Sequence, residues 1–229
     1  MQRQQGFTLI EIAIVLVIIG LLLGGVLKGQ ELINSAKVKN IVSEIKNTSV
    51  MVYAYQDRFR ALPGDQTLEQ LKASLGTTPS PTACAGDKAI CDPNGRIDGD
   101  WNTTDGTEAS RSETYVMWQH IRLANLASGR TTVAKNYGPR NVEGSPIGVE
   151  SGIAADGSAA PWIAGMRASF YVCTGGIPGR YVRQIDTTMD DGETSTGSVQ
   201  ATAGTTRGSA AVAAKDIVDT TPYTVCAGF

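Results

Sequence analysis

One carboxylate, Glu11, interrupts an otherwise uncharged apolar run from Phe7 to Leu27, FTLIEIAIVLVIIGLLLGGVL. An acid deep in a membrane-length helix costs about 2.5–3.5 kcal/mol on insertion scales, so its presence asks for a partner. Cleavage after Gly6 would create one, the free amine of Phe7, four residues and one helical turn before Glu11. That amine would sit at the positive end of the helix dipole, where a carboxylate is favoured. Glu11 of the same or of a neighbouring copy could neutralise it, and a helix carrying both groups in apolar surroundings is biased toward packing them together. Glu11 therefore reads as a register device for assembly, and Gly6 and Phe7 as a processing site.

Three other sets of residues could do chemistry. Asp92, Asn94, Asp98 and Asp100 place oxygen atoms at alternate positions of a glycine-containing loop, as calcium loops do, without the full D-x-D-x-D-G pattern or the distal glutamate. Calcium is the one cofactor the sequence raises, against the plainer reading of solvated turn carboxylates. Cys84, Cys91, Cys173 and Cys226 allow three disulfide pairings: Cys84–Cys91 would close a short loop, and Cys173–Cys226 would tie a strand to the end of the chain. A zinc site is disfavoured by the C-x6-C spacing and the lack of nearby histidine. The single histidine, His120, lies in a helical pattern with no adjacent nucleophile, and no phosphate loop or nucleophile elbow is present, so the expectation is no enzyme. Twenty basic against 22 acidic side chains leave no cationic footprint for nucleic acid.

The elements that must position these groups divide the chain into four stretches. Residues 1–6 are a polar leader. Residues 7–27 have the length of a membrane span, about 30 Å at 1.5 Å per residue. Over residues 28–62 the apolar positions become periodic, with Val38, Ile41, Ile45, Val52, Tyr55, Phe59 and Leu62 on one face, as in an amphipathic helix lying on a core. Pro63-Gly64 stops it. Residues 63–229 form the remaining globular domain. In it we expect a long loop over 63–112 with a short helix at Leu68–Leu75, then a helix from Ser112-Glu113 to about Leu126. Strands are expected at Thr131–Tyr137, Trp162–Cys173, Arg180–Ile185, Ala210–Val218 and Tyr223–Cys226, with 191–211 as a loop or edge hairpin. The predicted fold is α+β, a long N-terminal helix packed on a small antiparallel sheet.

The motif Gly6-Phe7-Thr8-Leu9-Ile10-Glu11 followed by a long aliphatic run resembles the prepilin signal of type IV pilins and type II secretion pseudopilins. LPGD at Leu62–Asp65, WQHIRLANL at Trp118–Leu126 and the segment Ile185–Ala201 are similar to elements of larger pilin-like proteins. The resemblance implies a pilin-like fold, cleavage after Gly6 by a prepilin peptidase, N-methylation of Phe7, and pairing of Glu11 with the terminal amine of the adjacent subunit. It also implies a closing Cys173–Cys226 disulfide and a single pass through the bacterial inner membrane with the C-terminal domain outside the cytoplasm. The partners implied are other pilin-like subunits in a homo- or hetero-polymer and the inner-membrane assembly machinery. Lys28 stands where pilins often carry a helix-bending proline, which favours a straight, pseudopilin-like helix. A reading from another class is a membrane-anchored periplasmic binding protein or adhesin whose 63–112 loop contacts a ligand.

Overall fold

The structure, a computed structural model, describes residues 9–85, 91–104, 111–152 and 160–229. The chain divides into two units, Met1–Lys39 and Asn40–Phe229. Helix α1, Leu9–Phe59, begins in the first and ends in the second. Its apolar run favours helix because every backbone group is bonded within the segment, which suits surroundings without water. Within the second unit Ile41, Ile45, Val52 and Tyr55 are fully buried, while Lys46, Asn47 and Val50 face solvent. The helix stops at Phe59, three residues before Leu62. Arg60 adopts φ +54° and donates its N–H to the Gln56 carbonyl, a left-handed exit just ahead of Pro63.

Helix α2, Leu68–Leu75, falls where expected and starts at a capping box in which Thr67 and Gln70 bond reciprocally. Helix α3 runs Glu113–Leu123, shorter than expected, because Asn125 turns left-handed at φ +59°. It is buried nearly all round, from Glu113 to Ile121.

Four strands follow: β1 Ile147–Glu150, β2 Tyr171–Pro178, β3 Val199–Thr202 and β4 Pro222–Gly228. They form one antiparallel sheet in the order β1-β2-β4-β3. Helix α4, Gly179–Met189, connects β2 to β3. The architecture is α+β.

Several strand expectations are corrected. Arg180–Ile185 is helix, since Tyr181, Val182 and Ile185 line one helical face rather than alternating. Thr131–Tyr137 is irregular: its carbonyls are taken by side chains of α3, Thr131 by the Gln119 amide at 2.7 Å and Ala134 by the Tyr115 hydroxyl at 2.5 Å. The Trp162–Cys173 run turns at Gly165, φ +87°, and becomes strand only at Tyr171. Ala210–Val218 gives a single 3-10 turn at Ala214–Asp216. Strands β1 and β3 were unforeseen as such, although β3 lies in the stretch read as loop or edge hairpin.

Both outer flanks of the sheet are covered by the chain itself. On the β3 side the Thr194 carbonyl accepts the Ala201 N–H at 2.9 Å and the Val212 N–H reaches the Ala201 carbonyl at 2.8 Å. On the β1 side Gly148 lies so close to Trp101 that a Cβ would come within 2.0 Å of its carbonyl oxygen. Ser151 there exchanges bonds with Ile97.

Two disulfides are formed, Cys84–Cys91 and Cys173–Cys226. The second joins directly opposed residues of β2 and β4 and lies in an apolar cluster with Trp101, Trp162, Ile163, Met166 and Tyr171.

Candidate functional site

Gly6 and Phe7 lie outside the described residues. Glu11 is in the first turn of α1. Around it the large apolar side chains of the helix, from Leu9 to Leu27, are each at least 46% exposed. A contiguous apolar surface of that extent requires lipid or other protein to cover it. Among the described residues α1 is the one helix long and apolar enough to cross a membrane. The first charge after Glu11 is Lys28, which pairs with Glu31 at 2.7 Å on the helix surface.

In the second unit the polar residues that sequence reading singled out serve three tight networks. His120, fully buried, accepts the Gly64 N–H on Nδ1 at 2.9 Å, so its proton is on Nε2, which donates to the Thr82 carbonyl at 2.8 Å. Burial holds its pKa down to about 4, outweighing the Thr82 bond. It pins the chain after α1 and the 80s loop onto α3, and Gly64 must be glycine there: φ is +98° and a Cβ would sit 2.6 Å from the Glu113 carbonyl oxygen.

The second network gathers acids at the start of α3. Asp65 accepts the N–H groups of Asn94 and Gly95 at 2.9 and 2.8 Å. Glu113 accepts the Asp98 N–H at 2.9 Å, and the Thr114 N–H reaches the Asp98 carbonyl. Asp98 and Glu113 are each 1% exposed. Of the four calcium-ligand candidates, Asn94 turns its amide onto Asp98 at 2.9 Å, Asp100 is engaged by an arginine, and Asp92 lies at the exposed edge of the loop. Among the described residues no three histidine, cysteine, aspartate or glutamate side chains are placed to hold a metal ion. Burial, opposed by the Asp98 N–H and reinforced by Asp65, Asp98 and Asp92, pushes Glu113 up to about 9.

A pH-dependent prediction follows from that. The folded chain keeps the Glu113 proton at pH 7, whereas the unfolded chain has released it above its ordinary value of 4.5. The group's stabilising contribution is therefore complete in acid and declines as pH rises toward 9. Glu113→Gln keeps an acceptor for the Asp98 N–H but cannot ionise. It is expected to be more stable than the parent by about 3 kcal/mol at pH 7 and indistinguishable near pH 4 in denaturant titrations. Equal stability at both pH values would show that Glu113 is ionised in the fold.

The third network centres on Arg207, which sequence reading missed. Its guanidinium, 11% exposed, bonds Glu150 at 2.7 and 3.0 Å, Asp100 at 2.8 and 3.0 Å, and the carbonyls of Ala160 and Gly99. Glu150 is fully buried and also accepts the Trp162 N–H. Burial pushes its pKa up to about 7 despite Arg207. One cation thus joins four chain segments. No sequence signal marked it, since Arg207 lies in a Thr/Gly/Ala-rich stretch and its acids are 57 and 107 residues away.

These networks spend most of their donors and acceptors on other parts of the domain and tie its segments together. The most extensive run of exposed large apolar side chains among the described residues is the apolar part of α1. Residues 1–27 match a family model described as the prokaryotic N-terminal methylation motif. No curated protein and no solved structure matches the chain.

Proposed function

We propose, taking the first 27 residues as a prepilin signal of the type IV pilin and pseudopilin kind, that the chain is a structural subunit of a type IV pilus or pilus-like filament. The observation that carries this reading is the methylation motif running directly into an exposed apolar helix whose first turn holds an acid. A prepilin peptidase cleaves after Gly6 and methylates Phe7. The helix then anchors the subunit in the inner membrane with the α+β domain outside the cytoplasm. Two disulfides agree with an oxidising compartment. Assembly machinery transfers the helix from lipid into a bundle of like helices, and Glu11 takes the terminal amine of the neighbouring subunit, fixing the axial step.

A pseudopilin of a type II secretion system is the second reading. It is favoured by α1 running unbroken from Leu9 to Phe59 with no proline in it.

The test is the mass of the mature N-terminal peptide from membranes and from sheared fibres. A peptide beginning at methylated Phe7 is expected, and an intact Met1 would overturn the proposal. Glu11→Ala is expected to insert in the membrane at parental levels while filaments fall to background on electron microscopy. Parental filament yield would remove Glu11 from the mechanism. Fibres on the cell surface, as against a purely periplasmic assembly, separate the pilus from the secretion reading.

A further inference from the structure

The turn leaving α4 contains a buried acid with no base beside it. Asp186, in the last turn of α4, is 1% exposed. Its Oδ1 accepts the Gly192 N–H at 2.6 Å, while its Oδ2, shut from solvent, has no hydrogen-bond partner. A carboxylate is opposed here by the negative end of the helix dipole as well as by burial. Asp190, Asp191 and Glu193, all on the turn, act on it with the same sign.

The nearby cations are occupied elsewhere. Arg183, one turn earlier on α4, gives its guanidinium to the carbonyls of Ala214 and Ile217 and to Asp219. Lys215 acts on Glu193. The strands packed on α4 contribute only Tyr171 and Tyr223 as titratable groups, their cysteines being paired.

The turn itself sets the entry of the edge strand. Asp190 accepts the Val199 N–H at 3.0 Å and the Ser198 hydroxyl at 3.1 Å, and Glu193 accepts the Ala214 N–H at 2.9 Å. The Gly192–Asp186 bond ties the tip of this turn back to α4.

We propose that Asp186 is a proton-operated clasp: with its carboxyl neutral, the turn 190–198 stays closed on α4 and delivers β3 to the sheet; with it ionised, the turn opens to admit water to Oδ2. Burial, opposed by the Gly192 N–H and reinforced by the three neighbouring acids, places the titration at about 6. The closed form holds a proton that the unfolded chain releases above its ordinary value of 3.8, so closure is complete in acid and weakens as pH rises through about 6. The clasp would make the edge of the sheet responsive to the acidity of the surroundings.

The experiment is amide NMR of the full chain in detergent micelles from about pH 4.5 to 8. The Gly192 amide proton is expected to shift in one transition near pH 6. Amides of residues 190–198, corrected for intrinsic chemistry, are expected to exchange several-fold faster above it. Asp186→Asn should remove both effects. Asp191→Asn, which keeps the fold's acceptors and deletes one like charge, should move the transition to lower pH. The proposal is overturned by an unshifted transition in Asp191→Asn, by a transition that survives in Asp186→Asn, or by its absence in the parent. A shift with no change in exchange would equally overturn it, since Asp186 would then titrate in a rigid turn.

Discussion

Arg207→Ala is expected to lose about 3–5 kcal/mol of folding stability, the range for removing one partner of a buried ion pair. The magnitude comes from what is left behind. Glu150 is fully buried, and its carboxylate faces Arg207 through two oxygens. Without the guanidinium it is an uncompensated charge and must take up a proton to remain inside. Below about pH 7 Glu150 is already neutral in the parent, so at Glu150 the variant loses hydrogen bonds there but not an ion pair, while the Arg207–Asp100 pair is lost as well. Above pH 7 the parent ionises Glu150 against Arg207 and the variant cannot, so the deficit should widen from pH 5 to pH 8. Denaturant titrations at both pH values test this, together with Arg207→Met/Glu150→Gln, which removes the charge as well as its partner. The double variant should regain part of the loss at pH 8. A deficit below about 1 kcal/mol, typical of a surface pair, would show that the network is decorative.

The second large effect concerns the Cys173–Cys226 bond. Its cysteines are 53 residues apart in sequence, so in the unfolded chain it closes a long loop. The chain-entropy relation gives about 4 kcal/mol for such a loop, against about 2 for the seven-residue separation of Cys84–Cys91. Cys173→Ala/Cys226→Ala is therefore expected to destabilise the domain markedly more than Cys84→Ala/Cys91→Ala, beyond the small packing loss of two sulfurs. Urea titrations of the two double variants, with and without reductant, measure the difference. Equal losses would mean that the unfolded chain already keeps the ends of β2 and β4 together.

What the sequence made legible follows from the strength of each local signal. The apolar run to Leu27 and the three-and-four spacing of Ile41, Ile45, Val52 and Tyr55 are long, redundant patterns, and α1 emerged within three residues of its end. The short helix expected at Leu68–Leu75 is α2, and its Thr67–Gln70 capping box is a signal that the sequence carried without being read. The β-rich half was read poorly because its strands are only four to eight residues long and their hydrogen bonds are made with partners far away in sequence. Thr131–Tyr137 looks extended in composition, yet Gln119 and Tyr115 satisfy its carbonyls without a neighbouring strand. In α4, Tyr181 and Val182 side by side suggested a strand, while the next apolar residue, Ile185, three further on, carried the helical answer.

The polar sites divide in the same way. Glu11 stood out because its surroundings were uniformly apolar. Glu113 and Arg207 did not, since an acid at a helix start and an arginine in a polar loop are ordinary until burial is known. The alternating oxygens of Asp92–Asp100 suggested an ion, but a loop of acids can equally be organised by backbone N–H groups, as Asp65 and Glu113 show.

The self-sealed borders of the β-sheet carry a last implication. Among the described residues, the flanks of β1 and β3 that a neighbouring copy would have to extend are met by this chain's own segments. Runaway stacking in the manner of amyloid is thereby closed off, and so is donation of a strand from one copy to the next. In any assembly of this domain, contact between copies would then fall to side chains.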